Sequence, residues 1–249
     1  MGDFDGLVAL VTGGGSGIGA STARLLRDRG GTVAVLDVDA SGAPDGCLPL
    51  SVDVTDDQAV RGAVDRAADE LGGMDILVNN AGIGAVGDLS ANDDEEWRRV
   101  LDVNLLGAVR VTRAALPHLR RSEHACIVNT CSVLAVVGVS SRALYSATKG
   151  ALLSLTLAMA ADHVREGIRV NAVAPGTTDT PWVGRLLDAA DDPEKERAAL
   201  EARQPIGRLV TPAEVAHAIA YLASPLSGST TGTVLGVDGG MGTIRLPSG

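Results

Sequence analysis

Aromatic side chains are nearly absent: Phe, Tyr and Trp together number five among 249 residues. A core must therefore be filled by Ala, Val and Leu, and hydrophobic residues at 45% supply enough for a large one. Cysteine is scarce as well. Cys47, Cys126 and Cys131 are odd in number and lack metal-ligand spacing, which argues against a disulfide scaffold or a metal centre and for reduced thiols in the cytoplasm. Positive charge is in deficit, with 21 Lys and Arg against 31 Asp and Glu for a net charge of −10. A nucleic-acid or anionic-membrane surface needs a basic footprint, which this composition does not provide. No apolar run approaches the length of a membrane span, and the start MGDFDGLVALVTGGG has no basic leader region. A myristoylation signal would want Ser or Thr where Gly6 stands. What these absences leave is a cytoplasmic globular protein whose partner is a small molecule.

What is present is alternation. Short apolar runs stand at Leu7–Thr12, Thr32–Asp37, Leu48–Val52, Asp75–Asn79, Cys126–Thr130, Arg169–Ala174 and Thr233–Val237. Most are β-branched and nearly continuous, as strands buried on both faces of a parallel sheet are. Between them, stretches opening at Ser16, Asp56, Asp93, Arg142 and Thr211 repeat apolar residues at helical spacing. Thr211-Pro212-Ala213-Glu214 combines a cap, a first-turn Pro and an early acid. The pattern predicts one doubly wound, Rossmann-type α/β domain over residues 1–249, with a seven-stranded parallel sheet and helices on both faces. Residues 176–208 do not fit the alternation. They carry Thr, Asp, Trp and Arg and a charged helical piece, DDPEKERAALEAR, and are expected to form a lid over the carboxyl edge of the sheet. An ordinary pair of surface helices is the other reading of this segment.

The first strand runs into Gly13-Gly14-Gly15-Ser16-Gly17-Ile18-Gly19 and then a helix. Glycines there let the backbone turn tightly and approach a pyrophosphate, which is met by amide N–H groups and the helix N-terminus. The second strand ends at Asp37, whose carboxylate suits the ribose hydroxyls of NAD and repels the phosphate of NADP. Two unit charges about 4 Å apart in a partly screened site cost up to about 4 kcal/mol, near a thousandfold in affinity. No Lys or Arg follows Asp37 or interrupts the glycine loop. Asp53-Val54 and Asn79-Asn80-Ala81-Gly82 close the third and fourth strands on the same ligand-binding edge, although each is also an ordinary strand-end turn.

Only two lysines accompany nineteen arginines, and one of them stands in Tyr145-Ser-Ala-Thr-Lys149. An i,i+4 offset puts both side chains on one helix face. A phenol is a poor base at pH 7, and a neighbouring ammonium favours its ionised form. With these residues in view, the chain resembles the classical short-chain dehydrogenase/reductases. Thr12-Gly-Gly-Gly-Ser-Gly-Ile-Gly19, Asn79-Asn-Ala-Gly82, Asn104, Ser132, Tyr145-x-x-x-Lys149 and Pro175-Gly176 stand in that family's order and spacing, through Val237-Asp-Gly-Gly240. The resemblance implies Tyr145 as general acid/base, Lys149 as ligand of the nicotinamide ribose and support for the phenolate, and Ser132 as a hydrogen-bond donor to the reacting oxygen. It implies that Asn104 positions a water in a proton relay and that Thr180 contacts the carboxamide, with Pro175, Gly176 and Thr178 also on the cofactor. Read without it, Ser132 is equally a cap and Asn104 equally a polar helix residue. Two features depart from the family pattern. Cys131 stands where a second Ser is usual, and the stretch between Asp37 and Asp53, with Gly42, Pro44 and Gly46, predicts a reduced helix.

The segment Pro175-Gly-Thr-Thr-Asp-Thr-Pro-Trp182, with Arg203-Gln204, is similar to the cytosolic type 2 hydroxybutyrate dehydrogenases and 2-keto-3-deoxy-fuconate dehydrogenases. These also place an Arg three residues before the Tyr, as Arg142 stands here. Arg142 and Arg203 are thus candidates to hold a substrate carboxylate, with Arg185 a third whose match is off by one position. The expected reaction is hydride transfer between NAD and a secondary alcohol or ketone, chiefly a small hydroxy acid. A neutral sugar, polyol or steroid alcohol is the alternative substrate. An NAD-binding silent partner is the alternative outside enzymes, and the intact Ser132, Tyr145 and Lys149 argue against it. Apolar helices around Leu101–Leu119 and Leu144–Val164, together with the resemblance, imply a homotetramer.

Overall fold

The apolar runs become seven strands: β1 (Val8–Thr12), β2 (Thr32–Asp37), β3 (Leu48–Ser51), β4 (Ile76–Asn79), β5 (Cys126–Thr130), β6 (Arg169–Pro175) and β7 (Val234–Val237). A computed structural model, which describes residues 2–247, joins them in the order β3-β2-β1-β4-β5-β6-β7 with every pairing parallel. This is the doubly wound sheet that the alternation predicts. β1, β4 and β5 are buried along their whole length, whereas the edge strands β3 and β7 are partly exposed, as their mixed composition suggests.

Helices α1 (Gly17–Asp28) and α8 (Pro212–Ala223) cover one face, where Leu26, Val215 and Ile219 pack on Val11, Val78 and Val128. On the other face lie α2 (Asp57–Leu71), α4 (Gly107–Leu119) and α5 (Ala143–His163), which bury Val64, Val111 and Met159 against Leu10, Leu77 and Ile127. Helix α3 (Asp94–Leu101) leads into α4 through one π-helical turn, Asp102–Leu106. Five helices begin at the residues the sequence marks, with Ser16, Asp56, Asp93, Arg142 and Thr211 as N-caps. Thr211 and Glu214 close a capping box. Between β2 and β3 only a 3₁₀ turn, Ala40–Gly42, remains of the helix usual there, as expected.

After β6 the chain makes two helices, α6 (Pro181–Asp188) and α7 (Pro193–Ala202). The charged stretch is α7. The sequence reading singled out no helix at α6, although Thr180-Pro181 is a cap followed by a first-turn proline. The pair holds an apolar cluster of its own, with Val183, Leu187, Leu200 and Leu209. Because the strand order reverses between β1 and β4, the loops after them diverge and open a crevice at the carboxyl ends of the strands.

Candidate active site

One wall of that crevice is main chain. Gly13 has φ +64, and a Cβ on it would fall 2.8 Å from the Ala81 Cα. At Gly19 a Cβ would lie 2.0 Å from the Gly13 carbonyl oxygen, so the first turn of α1 can close on the loop only as glycine. The loop after β4 is latched to β1 by Thr12, whose Oγ1 accepts from the amides of Asn80 and Ala81, each at 3.0 Å. Asn80 Nδ2 returns hydrogen bonds to the carbonyls of Thr12 and Gly13, each at 3.1 Å. Ser16 caps α1 with no side-chain hydrogen bond, which leaves the amides of the first turn to a ligand.

Gly13, Ser16, Gly17, Ile18, Asp37, Asp53, Val54, Asn80, Ala81, Gly82 and Thr180 line one continuous groove. Gly19 stands behind it and shapes the turn. At the end of β2, the Asp37 carboxylate accepts from the amides of Gly15 at 2.9 Å and Asp39 at 3.2 Å, and among the described residues it has no ion-pair partner. Its remaining lone pairs are free for hydroxyl donors. Asp53 accepts from Thr55 N at 2.9 Å, while Val54 is buried. A turn shaped by absent side chains, a helix N-terminus and a carboxylate at the end of the adjoining strand fit a nicotinamide dinucleotide.

The groove runs into a cleft lined by Ser132, Tyr145, Lys149, Pro175, Gly176 and Thr178, with Asn80, Gly82 and Thr180 shared between the two. Lys149 is buried in α5, and its Nζ donates to the Thr130 carbonyl at the end of β5 at 2.8 Å. No carboxylate pairs with it among the described residues, so a buried cation faces the cleft with donors to spare. It sits 5.7 Å from the Tyr145 ring centroid, one helical turn away. Ser132 is the buried cap of a 3₁₀ turn and its Oγ accepts from Leu134 N at 3.2 Å, so it is both a cap and a lining residue of the cleft. Next to it, Cys131 packs with Leu152 and Ala172, and burial pushes its thiol up to about 11.

Asn104 occupies the π turn. Its Nδ2 donates to the Ile83 carbonyl at 2.9 Å and to Thr148 Oγ1 at 3.1 Å, and its Oδ1 accepts from Ile83 N at 2.8 Å. Thr148 in turn donates to the Tyr145 carbonyl at 2.8 Å. The side chain thereby ties the loop after β4 to the turn of α5 that carries Tyr145. A second tie went unnoticed in the sequence. Asn79 and Asn129 face each other across β4 and β5, and Asn79 Nδ2 donates to Asn129 Oδ1 and Thr112 Oγ1, each at 2.9 Å. Asn129 Nδ2 donates to Thr156 Oγ1 at 2.8 Å. These bonds pin α4 and α5 to the sheet, and the only hint of them was an Asn near the end of each apolar run.

The outer cleft is apolar, with Leu134, Val139, Val183, Leu186 and Leu200, and Met241 from the C-terminal segment. Met241 was not anticipated. It is held there by Asp238, whose carboxylate accepts from the amides of Gly240 and Gly242, each at 2.9 Å. Two cations interrupt this lining. Arg142 and Arg203 reach the cleft with Tyr145, and neither forms an ion pair among the described residues. Burial pushes the Arg142 guanidinium below its ordinary range, and nearby Arg203 pushes the same way. Gln204, fully buried, anchors the end of α7 by donating to the carbonyls of Thr177 at 3.3 Å and Arg208 at 2.7 Å. Arg185 does not join them. It is exposed and lines the dinucleotide groove.

Residues 13–242 match the family model described as enoyl-(acyl carrier protein) reductase. The cis-4-hydroxycyclohexanecarboxylate dehydrogenase of Sinomonas cyclohexanicum is 45% identical over 244 residues, covering 94% of this chain and 95% of its own. The 3-oxoacyl-[acyl-carrier-protein] reductase of Thermotoga maritima is 36% identical, covering 96% and 98%. Among solved structures, the ligand-free aldohexose dehydrogenase of Thermoplasma acidophilum superposes with a TM-score of 0.92 at 35% identity, covering 99% of this chain and 98% of that one.

Proposed function

Because this chain belongs to the classical short-chain dehydrogenase/reductase family, whose members are oxidoreductases that bind a nicotinamide dinucleotide, we propose that it interconverts a small hydroxy acid and its keto acid with NAD. The bound nicotinamide supplies the hydride acceptor or donor. Tyr145 takes the proton from the carbinol oxygen on oxidation and returns it on reduction, and Ser132 donates a hydrogen bond to the same oxygen. Lys149 holds the ribose hydroxyls and its charge favours the phenolate. Asn104 keeps Ile83 and Thr148 in register and positions water for the proton relay. Asp37 receives the adenine-side ribose, which supports NAD over NADP. Helices α6 and α7 form the lid within 176–208.

One observation carries the substrate class: two unpaired guanidiniums, Arg142 and Arg203, interrupt the apolar outer part of the cleft that holds Tyr145. Like charges brought together in a partly buried site are relieved by an anion between them. The name of the 45% identical relative, a dehydrogenase of a hydroxycyclohexanecarboxylate, points to the same chemistry. An assay with NAD across hydroxy acids, sugars and plain cyclic alcohols tests it. Arg203→Gln should raise KM for the acids about ten- to a hundredfold and affect kcat less, since the carboxylate is bound in ground and transition states alike. If sugars outperform acids and Arg203→Gln is without effect, the substrate is neutral and the reading fails.

Assembly and location follow on narrower grounds. Leu157 on α5, Val164 just after it and Leu106 before α4 are exposed apolar residues, which supports a homotetramer built on these helices. All three cysteines are unpaired, the state maintained in a reducing compartment, which supports a cytoplasmic location.

A further inference from the structure

We propose that Trp182 is a positioning residue for the substrate carboxylate, acting through Arg142: the indole carried on lid helix α6 sets the guanidinium that receives the acid. This rests on the reading of Arg142 as a carboxylate ligand. The Arg142 guanidinium carbon lies 5.8 Å from the Trp182 ring centroid, and Nη1 donates to the Ala85 carbonyl at 3.2 Å. One face of the fork is thus covered by the indole and one N–H is taken, which leaves the other N–H groups for an anion in the cleft. The backbone beneath is equally constrained. Arg142 pairs with Gly87 in an isolated parallel bridge, Gly87 N donates to the Ser141 carbonyl at 2.9 Å, and Ser141 has φ +57. Among the described residues Ser141 is the only non-glycine in the left-handed region.

The indole has a fixed seat of its own. A Cβ built on Gly84 would lie 2.2 Å from the Trp182 Cζ2 and 2.8 Å from its Nε1, so the ring rests directly on bare backbone. Gly84 has no positive φ, so its missing side chain makes room for the indole and serves no backbone need. Trp182 also lines both the groove and the cleft, where the two meet. Three segments distant in sequence therefore converge on one guanidinium: the loop after β4, the cap of α5 and the lid. A guanidinium already held over an indole loses less freedom when an acid arrives than one swinging from a free side chain. Through Trp182 the lid thereby contributes to acid recognition beyond the charge of Arg203. A Trp that were only an apolar wall would treat acids and neutral alcohols alike.

The test compares KM for a cyclic hydroxy acid and for the matching neutral alcohol in Trp182→Leu, Trp182→Phe and Gly84→Ala enzymes, with circular dichroism and thermal melting as the check on folding. Trp182→Leu should raise the acid-to-neutral KM ratio about five- to tenfold, with acid kcat moving less than KM. Trp182→Phe keeps an aromatic face and should restore most of the ratio. Gly84→Ala, which evicts the ring while leaving Trp182 itself unchanged, should shift the ratio in the same direction as Trp182→Leu. Adding Trp182→Leu to Arg142→Met should cause no further rise in acid KM, because the two act as one unit. Equal rises in KM for acid and neutral substrates, or additive effects in the double variant, overturn the proposal. If Arg142→Met raises acid KM but Trp182→Leu leaves the ratio unchanged, this inference alone is wrong. An Arg142→Met enzyme with unaltered acid KM defeats the carboxylate reading and this inference with it.

Discussion

The dinucleotide groove and the substrate cleft share Asn80, Gly82 and Thr180 yet are made of different material. The end of the groove at the glycine loop is largely main chain: glycines at 13 and 19, latched amides at Asn80 and Ala81, and the open first turn of α1. The cleft is largely side chain, gathered from the segments after β4, β5 and β6 and from the C-terminal stretch around Met241. A surface built of backbone tolerates no added atoms but can stay the same whatever the substrate. One built of side chains can be refitted residue by residue while the chemistry at Tyr145 is kept. The expected variants separate the two regions, starting with the residue whose loss should cost most.

Tyr145→Phe should lower turnover by about 10²–10⁴-fold, the usual worth of a positioned acid/base, while NADH binding stays near normal. Lys149→Arg keeps the charge but puts a planar fork where a compact ammonium reaches the Thr130 carbonyl, so it should also be badly impaired. More than a tenth of the activity remaining in Tyr145→Phe, measured under saturating substrate, would remove that residue from the proton transfer.

Gly19→Ala probes the groove alone. The new methyl would sit 2.0 Å from the Gly13 carbonyl oxygen, a main-chain atom that cannot step aside without moving the loop. NADH affinity, read by fluorescence titration, should fall at least tenfold, and acids and neutral alcohols should suffer equally. A change in their ratio would mean that the groove and the cleft are not separable.

Asp37→Ser is the milder groove variant. NAD should be preferred to NADP by at least two orders of magnitude in kcat/KM in the wild type, and by about tenfold or less once the carboxylate is gone. Equal use of both cofactors by the wild type would exclude Asp37 as the ribose acceptor.

The same contrast explains what could be read in advance. Main-chain sites leave contiguous motifs, because the loop, its glycines and the helix cap are neighbours in sequence. The Gly13–Gly19 loop, Asp37 at its strand end and the five helix caps from Ser16 to Thr211 are therefore legible locally, whereas Asn80–Gly82 reads alone as an ordinary turn and takes its meaning from the family resemblance. Tyr145 and Lys149 were visible because an i,i+4 pair is local as well. The cleft was legible only in fragments. Nothing in the order of residues says that Met241 returns beside Ser132, or that Trp182 finds its seat on Gly84, some hundred positions away. The buried Asn79–Asn129 tie escapes for a related reason: Asn79 reads as part of a strand-end turn until register sets Asn129 opposite it. Arg185 was grouped with Arg142 and Arg203 by likeness of motif, and only the direction in which α6 presents it separates them.

Arg185 yields the smallest expected effect and the sharpest line between the regions. It stands in the groove with Ser16, Gly17 and Thr180, and among the described residues it has neither an ion pair nor a hydrogen bond. Arg98 and Arg99 line the same groove but are engaged, by Asp94 at 2.9 Å and Glu96 at 3.9 Å. Since the glycine loop contains no Lys or Arg, Arg185 is the available cation for a pyrophosphate lying on the first turn of α1. Its exposure means that solvent and salt screen the attraction, so the gain is modest. Arg185→Gln should raise KM for NAD about two- to fivefold at low ionic strength, and the difference should shrink as salt is added. KM for the hydroxy acid should hold steady, in contrast to the large rise expected from Arg203→Gln. Steady-state kinetics with each substrate varied in turn distinguish the outcomes. A rise in acid KM with NAD binding untouched would return Arg185 to the carboxylate clamp, and would mean that the lid swings far enough to carry it from one region into the other.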